Sequence, residues 1–203
     1  MSAFLGPIHH WLYEKIQKQE ALTQAILQSA FAVPEQADAA QKLAEACGEV
    51  ETRPLEECID TGNIHGWLQG QISIAEARYA KLVTDLLKSN AAKIDQLRVI
   101  AFAAGREQPI QENNAAAAFQ ALNDTLLDGM PCDHVNEMLG QTTDQVCWRH
   151  TQCLHHSFWE NAGGDVANYY ALRDAWIDGM LAESGFEYGN ENGNFYIRKK
   201  ETV

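Results

Sequence analysis

The sequence predicts a mainly α protein, with a helical N-terminal half and an α+β C-terminal part that carries a small antiparallel sheet. Apolar residues recur at helical spacing in the first half, for example between Ile8 and Leu27. Later in the chain, residues 145–151 alternate between two faces, and a Gly/Asn-rich turn separates two aromatic segments near the end. We therefore expect a helical bundle region over residues 1–108 and an α+β region over 109–203, which can form one compact domain.

Helices dominate the first half because the apolar spacing is helical and glycine or proline interrupts it at intervals. Gly6-Pro7 is expected to open the first long helix, since proline is favoured in the first helical turn, and this helix should stop before Pro34. Arg53-Pro54 is expected to begin one short helical turn. The longer predicted helices cover residues 7–33, 35–46, 63–88, 92–104 and 115–127.

The chain changes in character after Gly129. Residues 145–151 favour a strand because they alternate and follow a turn-forming segment, 140–143, although a helix remains possible. Asp165 is expected to cap a long helix that extends to about residue 183. The other predicted elements are short helices at 131–139 and 154–161 and a terminal hairpin of 186–188 and 195–197, which joins the strand in a three-stranded sheet.

An internal repeat, G-x-I-H-x-W-L-x3-I, begins at Gly6 and again at Gly62. Each copy opens a long predicted helix. The repeat indicates either a duplicated helical unit or one local packing solution used twice. If it is a structural duplication, the two helices should pack side by side with Trp11 and Trp67 buried.

His9 and His65 occupy matching positions of the two repeats. Helix starts that lie close together could bring both imidazoles to one cavity, where they would bind a metal or another cofactor. The other interpretation is that each imidazole hydrogen-bonds a neighbouring helix end while the tryptophans fill the core.

The pattern Cys-x-His also occurs twice, as Cys132-Asp133-His134 and Cys153-Leu154-His155. Thiolate and imidazole are common ligands of zinc and iron. If the two pairs meet, the four side chains of Cys132, His134, Cys153 and His155 complete a tetrahedral Cys2His2 site. The other interpretation of the first pair is a capped helix start with a solvated His134.

Cys153 is also a candidate nucleophile. If the predicted strand ends just before it and a helix begins at Leu154, the thiol lies at a helix N-terminus, where the helix dipole stabilises a thiolate. His155 and His156 follow within one turn, and either could act as the base. The alternative is a small buried cysteine at a strand–helix junction.

The composition excludes several classes of partner. The formal net charge of −13 disfavours nucleic acid and anionic membranes. No apolar run reaches the roughly 18 residues expected of a membrane helix, and residues 1–12 lack the regions of a signal peptide.

Five cysteines without regular spacing favour a reducing, cytoplasmic compartment. A small-molecule substrate or a metal is the expected partner, and a homo-oligomer is possible.

Several short segments in the last quarter of the chain match one known pattern. They are Arg149-His150-Thr151-Gln152-Cys153, Phe158-Trp159-Glu160-Asn161-Ala162-Gly163, Asp174, Gly185-Phe186 and the stretch from Gly193 to Arg198. With this layout the chain resembles the L-2-amino-thiazoline-4-carboxylate hydrolase-like family, although Leu154 stands where that family usually has proline. The resemblance implies that Cys153, in a turn before a short helix, is the functional residue.

The sequence therefore predicts a cytoplasmic small-molecule enzyme, a hydrolase that acts on a C–N or C–S bond. Cys153 would be the nucleophile or a ligand, His155 or His156 the base, and Cys132 and His134 supporting groups. The alternative is a non-catalytic protein that binds zinc, iron or another cofactor through these residues or through His9 and His65. A helical interaction protein without a site is the third possibility.

Overall fold

The structure is a computed structural model that describes residues 4–201, and it confirms the predicted fold class. Helices form the N-terminal half, and a small antiparallel sheet lies in the C-terminal part. A 3-10 turn, Pro131–Asp133, precedes the first strand. The elements are α1 (Pro7–Ala30), α2 (Val33–Cys47), α3 (Leu55–Cys58), α4 (Ile64–Lys88), α5 (Ile94–Arg106), α6 (Ala115–Asn123), β1 (Asn136–Gln141), β2 (Gln145–His150), α7 (His156–Asn161), α8 (Val166–Met180), β3 (Phe186–Glu191) and β4 (Asn194–Lys199).

The two repeats place α1 and α4 side by side, as predicted for a structural duplication. Near the helix starts, His9 approaches His65, and further along the same helices Glu20 pairs with Arg78. Both contacts advance in the same direction along the chain, so the two helices run parallel. A parallel pair needs a crossover connection, and residues 31–63, which contain α2 and α3, supply it.

Leucine and isoleucine, not tryptophan, form the seam between the two repeats. Leu12, Ile16, Leu68 and Ile72 are each at most 3% exposed and share one hydrophobic cluster. Trp11 and Trp67 are only partly buried, so the predicted burial of both tryptophans is wrong. They lie beside the seam, where the indole N–H of Trp11 donates to Asp124 and the Trp67 ring packs on Tyr13.

The sheet has four antiparallel strands in the order β1-β2-β4-β3. It contains the three predicted segments and one more strand, β1. The prediction of a helix over residues 131–139 is wrong, because only the 3-10 turn is helical and residues from Asn136 onward pair with β2. The hairpin formed with β2 satisfies the backbone groups of this segment, and that pairing outweighs its local helical tendency.

One large hydrophobic cluster joins the two halves of the chain. It contains, for example, Leu22 and Tyr79 from the helical half and Val146 and Ile197 from the sheet. Within this cluster α5 crosses α8 at close range, and Gly105 faces the backbone of α8. Within residues 4–201, no helix combines the length and the hydrophobicity that a bilayer span requires.

The crossing of α5 and α8 predicts a marked difference between two Gly→Ala variants. A Cβ atom at Gly105 would overlap the carbonyl oxygen of Trp176, whereas one at Gly70, on the exposed side of α4, would meet nothing within 4 Å. Overpacking of this kind costs about 1–3 kcal/mol. Gly70→Ala should instead stabilise the protein by about 0.5–1 kcal/mol, because alanine favours a helix.

Urea denaturation of both variants, followed by circular dichroism, measures the two effects. Equal midpoints for Gly105→Ala and Gly70→Ala would contradict the close crossing of the helices.

Candidate functional site

A cluster of buried charged side chains lies where the two halves of the protein meet. It consists of Glu76 from α4, Asp128 from the loop after α6, His155 from the segment before α7, and Arg173 from α8. None of the four residues is more than 8% exposed. Burial of a charge costs several kcal/mol unless a partner compensates it. The contacts of each group therefore determine whether this cluster is stable.

His155 lies between the two carboxylates. Its Nδ1 is 2.9 Å from Oε2 of Glu76, and its Nε2 is 3.6 Å from Oδ1 of Asp128. Burial alone would lower the pKa of His155, but the two negative charges outweigh burial and raise this pKa to about 9. The imidazole is thus a cation at neutral pH, and the ring of Tyr169 stacks on it at a centroid distance of 3.7 Å.

Asp128 connects His155 to Arg173. Nη2 of Arg173 is 3.4 Å from Oδ2 of Asp128. Burial would raise the pKa of Asp128, but the charges of Arg173 and His155 hold it far below its usual range. Asp128 is therefore a carboxylate under all ordinary conditions.

Arg173 extends the cluster toward the sheet. The same Nη2 atom is 3.5 Å from Nε2 of His150, and Nη1 donates to the hydroxyl of Tyr188 over 3.4 Å. Burial and the positive charge of Arg173 lower the pKa of His150 to about 4. His150 is thus neutral at pH 7 and can accept a hydrogen bond from Arg173.

A small cavity of 230 Å³ adjoins Asp128. We call it the Lys15 cavity. It lies between α1 and the segment from Asp128 to Asn136, and Trp11, Lys15, Asn123 and His134 complete its polar wall. Two buried acceptors of lining residues, Oδ1 of Asp128 and Oδ1 of Asn136, receive no hydrogen bond from the described part of the chain.

Lys15 is the only amine among the residues that line this cavity. The residue is 2% exposed, and its Nζ lies 4.0 Å from the centre of the Trp11 ring. Burial lowers the pKa of Lys15 to about 8, although the negative charges of Asp128 and Asp124 act in the opposite direction. A substantial fraction of this amine is therefore unprotonated slightly above neutral pH.

The structure brings the two Cys-x-His segments together, but their four side chains do not form one metal site. The Thr151 hydroxyl donates to the backbone oxygen of His134, and the side-chain amide of Gln152 donates to that of Asp133. Cys132 and Cys153 are exposed. Among residues 4–201, no three or more His, Cys, Asp or Glu side chains are arranged to hold one metal ion.

The three predicted catalytic residues, Cys153, His155 and His156, have different surroundings: His155 is buried and the other two are exposed. The short helix α7 begins at His156 and not at the predicted Leu154, so Cys153 lies two residues before the N-cap, His155. The thiol of Cys153 instead contacts the hydroxyl of Tyr170. His156 is exposed and pairs with Glu160, and the ion pairs of His155 oppose its predicted role as base or ligand.

His9 and His65 lie close to each other. Their Nε2 atoms are 3.4 Å apart. The backbone N–H of Gly6 donates to Nδ1 of His9 over 2.8 Å, so the proton of a neutral His9 lies on Nε2. This proton can be shared with His65, which is exposed whereas His9 is buried.

The sequence interpretation missed Lys15, Glu76, Asp128 and Arg173. A usable signal existed for the two residues within the repeats, since Lys15 and Glu76 lie on the buried face of their helices, beside Ile16 and one turn after Ile72. A charged residue in an apolar stripe is rarely buried without a partner. Nothing in the sequence identified the partners, because they come from distant segments.

The raised pKa of His155 predicts how stability depends on pH. The unfolded protein loses this proton near pH 6.5, whereas the folded protein keeps it until about pH 9. The stabilisation should therefore be complete below pH 6.5, decline as pH rises and vanish above about pH 9. It amounts to on the order of 3 kcal/mol.

This contribution can be measured as the difference in free energy of unfolding between the wild type and His155→Gln from pH 6 to 10. The matched control is His156→Gln, a substitution at an exposed neighbour that leaves the buried ionic cluster intact. A difference for His155→Gln that is flat with pH would show that folding does not shift the pKa of His155.

Comparison with known proteins adds nothing to this geometry: no protein family, no curated protein and no solved structure matches the chain.

Proposed function

We propose that this protein is a small-molecule enzyme whose active site is the Lys15 cavity, with the buried ionic cluster as its support. The observation that carries the proposal is a buried amine with a lowered pKa in a cavity that is also lined by Asp128, a residue held in its ionised state. If the buried charges served stability alone, apolar side chains could replace them at a similar or lower free energy. Their presence therefore points to a function. Strongly shifted pKa values beside a cavity are typical of active sites.

The reaction class proposed is hydrolysis of a C–N or C–S bond, and it rests on the C-terminal resemblance noted in the sequence. The unprotonated amine of Lys15 can take a proton from water or from a substrate. The carboxylate of Asp128 accepts hydrogen bonds only, so it would orient a substrate N–H or the attacking water. His155 and Arg173 hold Asp128 in its ionised state.

This assignment transfers the reactive role from Cys153 to Lys15. Cys153 is exposed and is not among the residues that line the cavity. A lysine is an effective base or nucleophile only when its pKa is lowered, and burial of Lys15 provides that condition. We also propose a cytoplasmic location, since the five cysteines are unpaired in the structure, as thiols are in a reducing compartment.

A metal-binding protein is the second candidate, and the pair of His9 and His65 favours it. Two nitrogens bound to tetrahedral zinc at about 2.0–2.1 Å lie about 3.3–3.4 Å apart, which matches the observed 3.4 Å. However, both Nε2 atoms can bind a metal only if His9 gives up its Nε2 proton or its hydrogen bond from Gly6. We therefore rank this function second.

Substitution of Lys15 tests the enzyme directly. The purified protein is assayed on small amides, ureides, imines and thioesters by the release of amine or thiol. The wild type should convert at least one of these compounds, with a rate that rises with pH through about 8 as Lys15 loses its proton. Lys15→Met should reduce this rate by about 10²–10⁴-fold.

Cys153→Ser is the comparison variant and should retain the activity. If Cys153→Ser abolishes the activity and Lys15→Met does not, the thiol is the reactive group and the Lys15 assignment fails. If the wild type converts no compound but binds zinc, and His65→Ala loses that zinc while His10→Ala keeps it, the second candidate replaces the first.

A further inference from the structure

The amine of Lys15 differs in its surroundings from the amines of Lys18, Lys42 and Lys81. Lys18, one turn later on α1, donates to the backbone oxygen of Asp124 and faces the hydroxyl of Thr125. Lys42 and Lys81 each pair with an aspartate one turn away. In the described part of the chain, Nζ of Lys15 makes no hydrogen bond and contacts the face of Trp11.

This environment favours nucleophilic chemistry over ion pairing. An amine that is buried against an indole ring, with no acceptor in contact, keeps its lone pair available when it is unprotonated. With a pKa of about 8 instead of 10.5, the unprotonated fraction at pH 7 is roughly 300 times larger than that of an ordinary lysine.

The cavity sets the size and polarity of the reaction partner. Its volume of 230 Å³ corresponds to about eight non-hydrogen atoms at about 30 Å³ each, the volume of a water molecule in the liquid. Asp128 and Asn136 are, with Lys15, among the residues that line the cavity. A compact polar molecule with one electrophilic carbon therefore fits this space.

We propose that Lys15 forms an imine with the carbonyl carbon of a small aldehyde or ketone bound in the Lys15 cavity. The amine nitrogen adds to the carbonyl carbon, two N–H protons and the carbonyl oxygen leave as water, and a C=N bond joins the ligand to Nζ. Water reverses the reaction and restores the amine, so no oxidant or reductant is needed.

This inference takes the position of the active site from the proposed function. It adds a specific reaction for Lys15 at that site. An imine substrate would exchange its amine for that of Lys15, and hydrolysis of the lysine imine would then release a carbonyl compound. The sum of the two steps is hydrolysis of a C–N double bond. The reactive carbon of the substrate would thus be a carbonyl or an imine carbon.

Reductive trapping of the wild-type protein tests the imine. The protein is incubated at pH 7 with propanal or pyruvate and sodium cyanoborohydride, which reduces an imine to a stable secondary amine. Peptide mass mapping then locates the modified nitrogen and separates Lys15 from the α-amino group, whose ordinary pKa of about 8 also makes it reactive. Lys15 should be modified at least tenfold faster than Lys18 or the exposed Lys42.

Two further measurements show whether Lys15 reacts because its pKa is lowered or only because reagents reach it. The rate at Lys15 should rise between pH 6.5 and 8.5 and then level off, whereas the rate at Lys42 should keep rising above pH 9. Denaturation in guanidinium chloride should remove the preference for Lys15, because the unfolded amine regains an ordinary pKa.

The outcomes separate this inference from the proposed function. If Lys15 is trapped but no compound in the activity assay is hydrolysed, the imine stands and the hydrolase proposal fails. If Lys15→Met abolishes hydrolysis but Lys15 is trapped no faster than Lys18, Lys15 acts as a base and the imine is overturned. Equal trapping at all lysines, with no hydrolysis, overturns both.

Discussion

The parallel contact between α1 and α4 is the constraint on which the remaining structure depends. The seam is built from equivalent leucines and isoleucines of the two repeats, such as Leu12 with Leu68, which are nearly inaccessible to solvent. Because the helices run parallel, the chain must cross over between them, and α2 and α3 occupy that connection. The same contact places Lys15 and Glu76 on neighbouring helices, both close to the loop that carries Asp128.

The correspondence between the two repeats extends beyond the motif G-x-I-H-x-W-L-x3-I. Glu20 and Glu76 follow Ile16 and Ile72 by one turn, and both are buried. The guanidinium of Arg78 binds Glu20 through two of its nitrogens, whereas His155 pairs with Glu76 from outside the helical half. One copy of the duplicated acid thus stabilises the helix pair, and the other joins the helical half to the C-terminal part.

Charge balance explains why the ionic cluster can be buried. Glu76 and Asp128 supply two negative charges, and His155 and Arg173 supply two positive charges. Removal of one partner would leave an uncompensated charge and would cost about 3–5 kcal/mol. These contacts also give each group a different protonation state near pH 7: Asp128 is ionised, His155 is protonated and His150 is neutral.

Lys15 owes its lowered pKa first to burial, and the positive charge of Lys18 adds a smaller effect in the same direction. Asp128 and Asp124 partly restore the pKa, so the amine is poised near neutral pH and is not held permanently in one form. Because the charge of Asp128 is fixed by Arg173 and His155, the protonation of Lys15 can change without disturbing the carboxylate beside it.

The sequence by itself determined the fold class, most helices and the terminal hairpin, because these follow from local periodicity, caps and turns. It left open whether the repeat is a structural duplication, and the tertiary structure decided this by placing α1 beside α4. Only the tertiary structure decided that Asn136–Gln141 is a strand, since its backbone pairs with β2. Of Lys15 and the residues of the ionic cluster, the sequence singled out only His155, and it did not reveal the partners of that residue. Lys15, Glu76, Asp128, His155 and Arg173 are far apart along the chain, and a lowered or raised pKa depends on burial and on partners that only folding brings together.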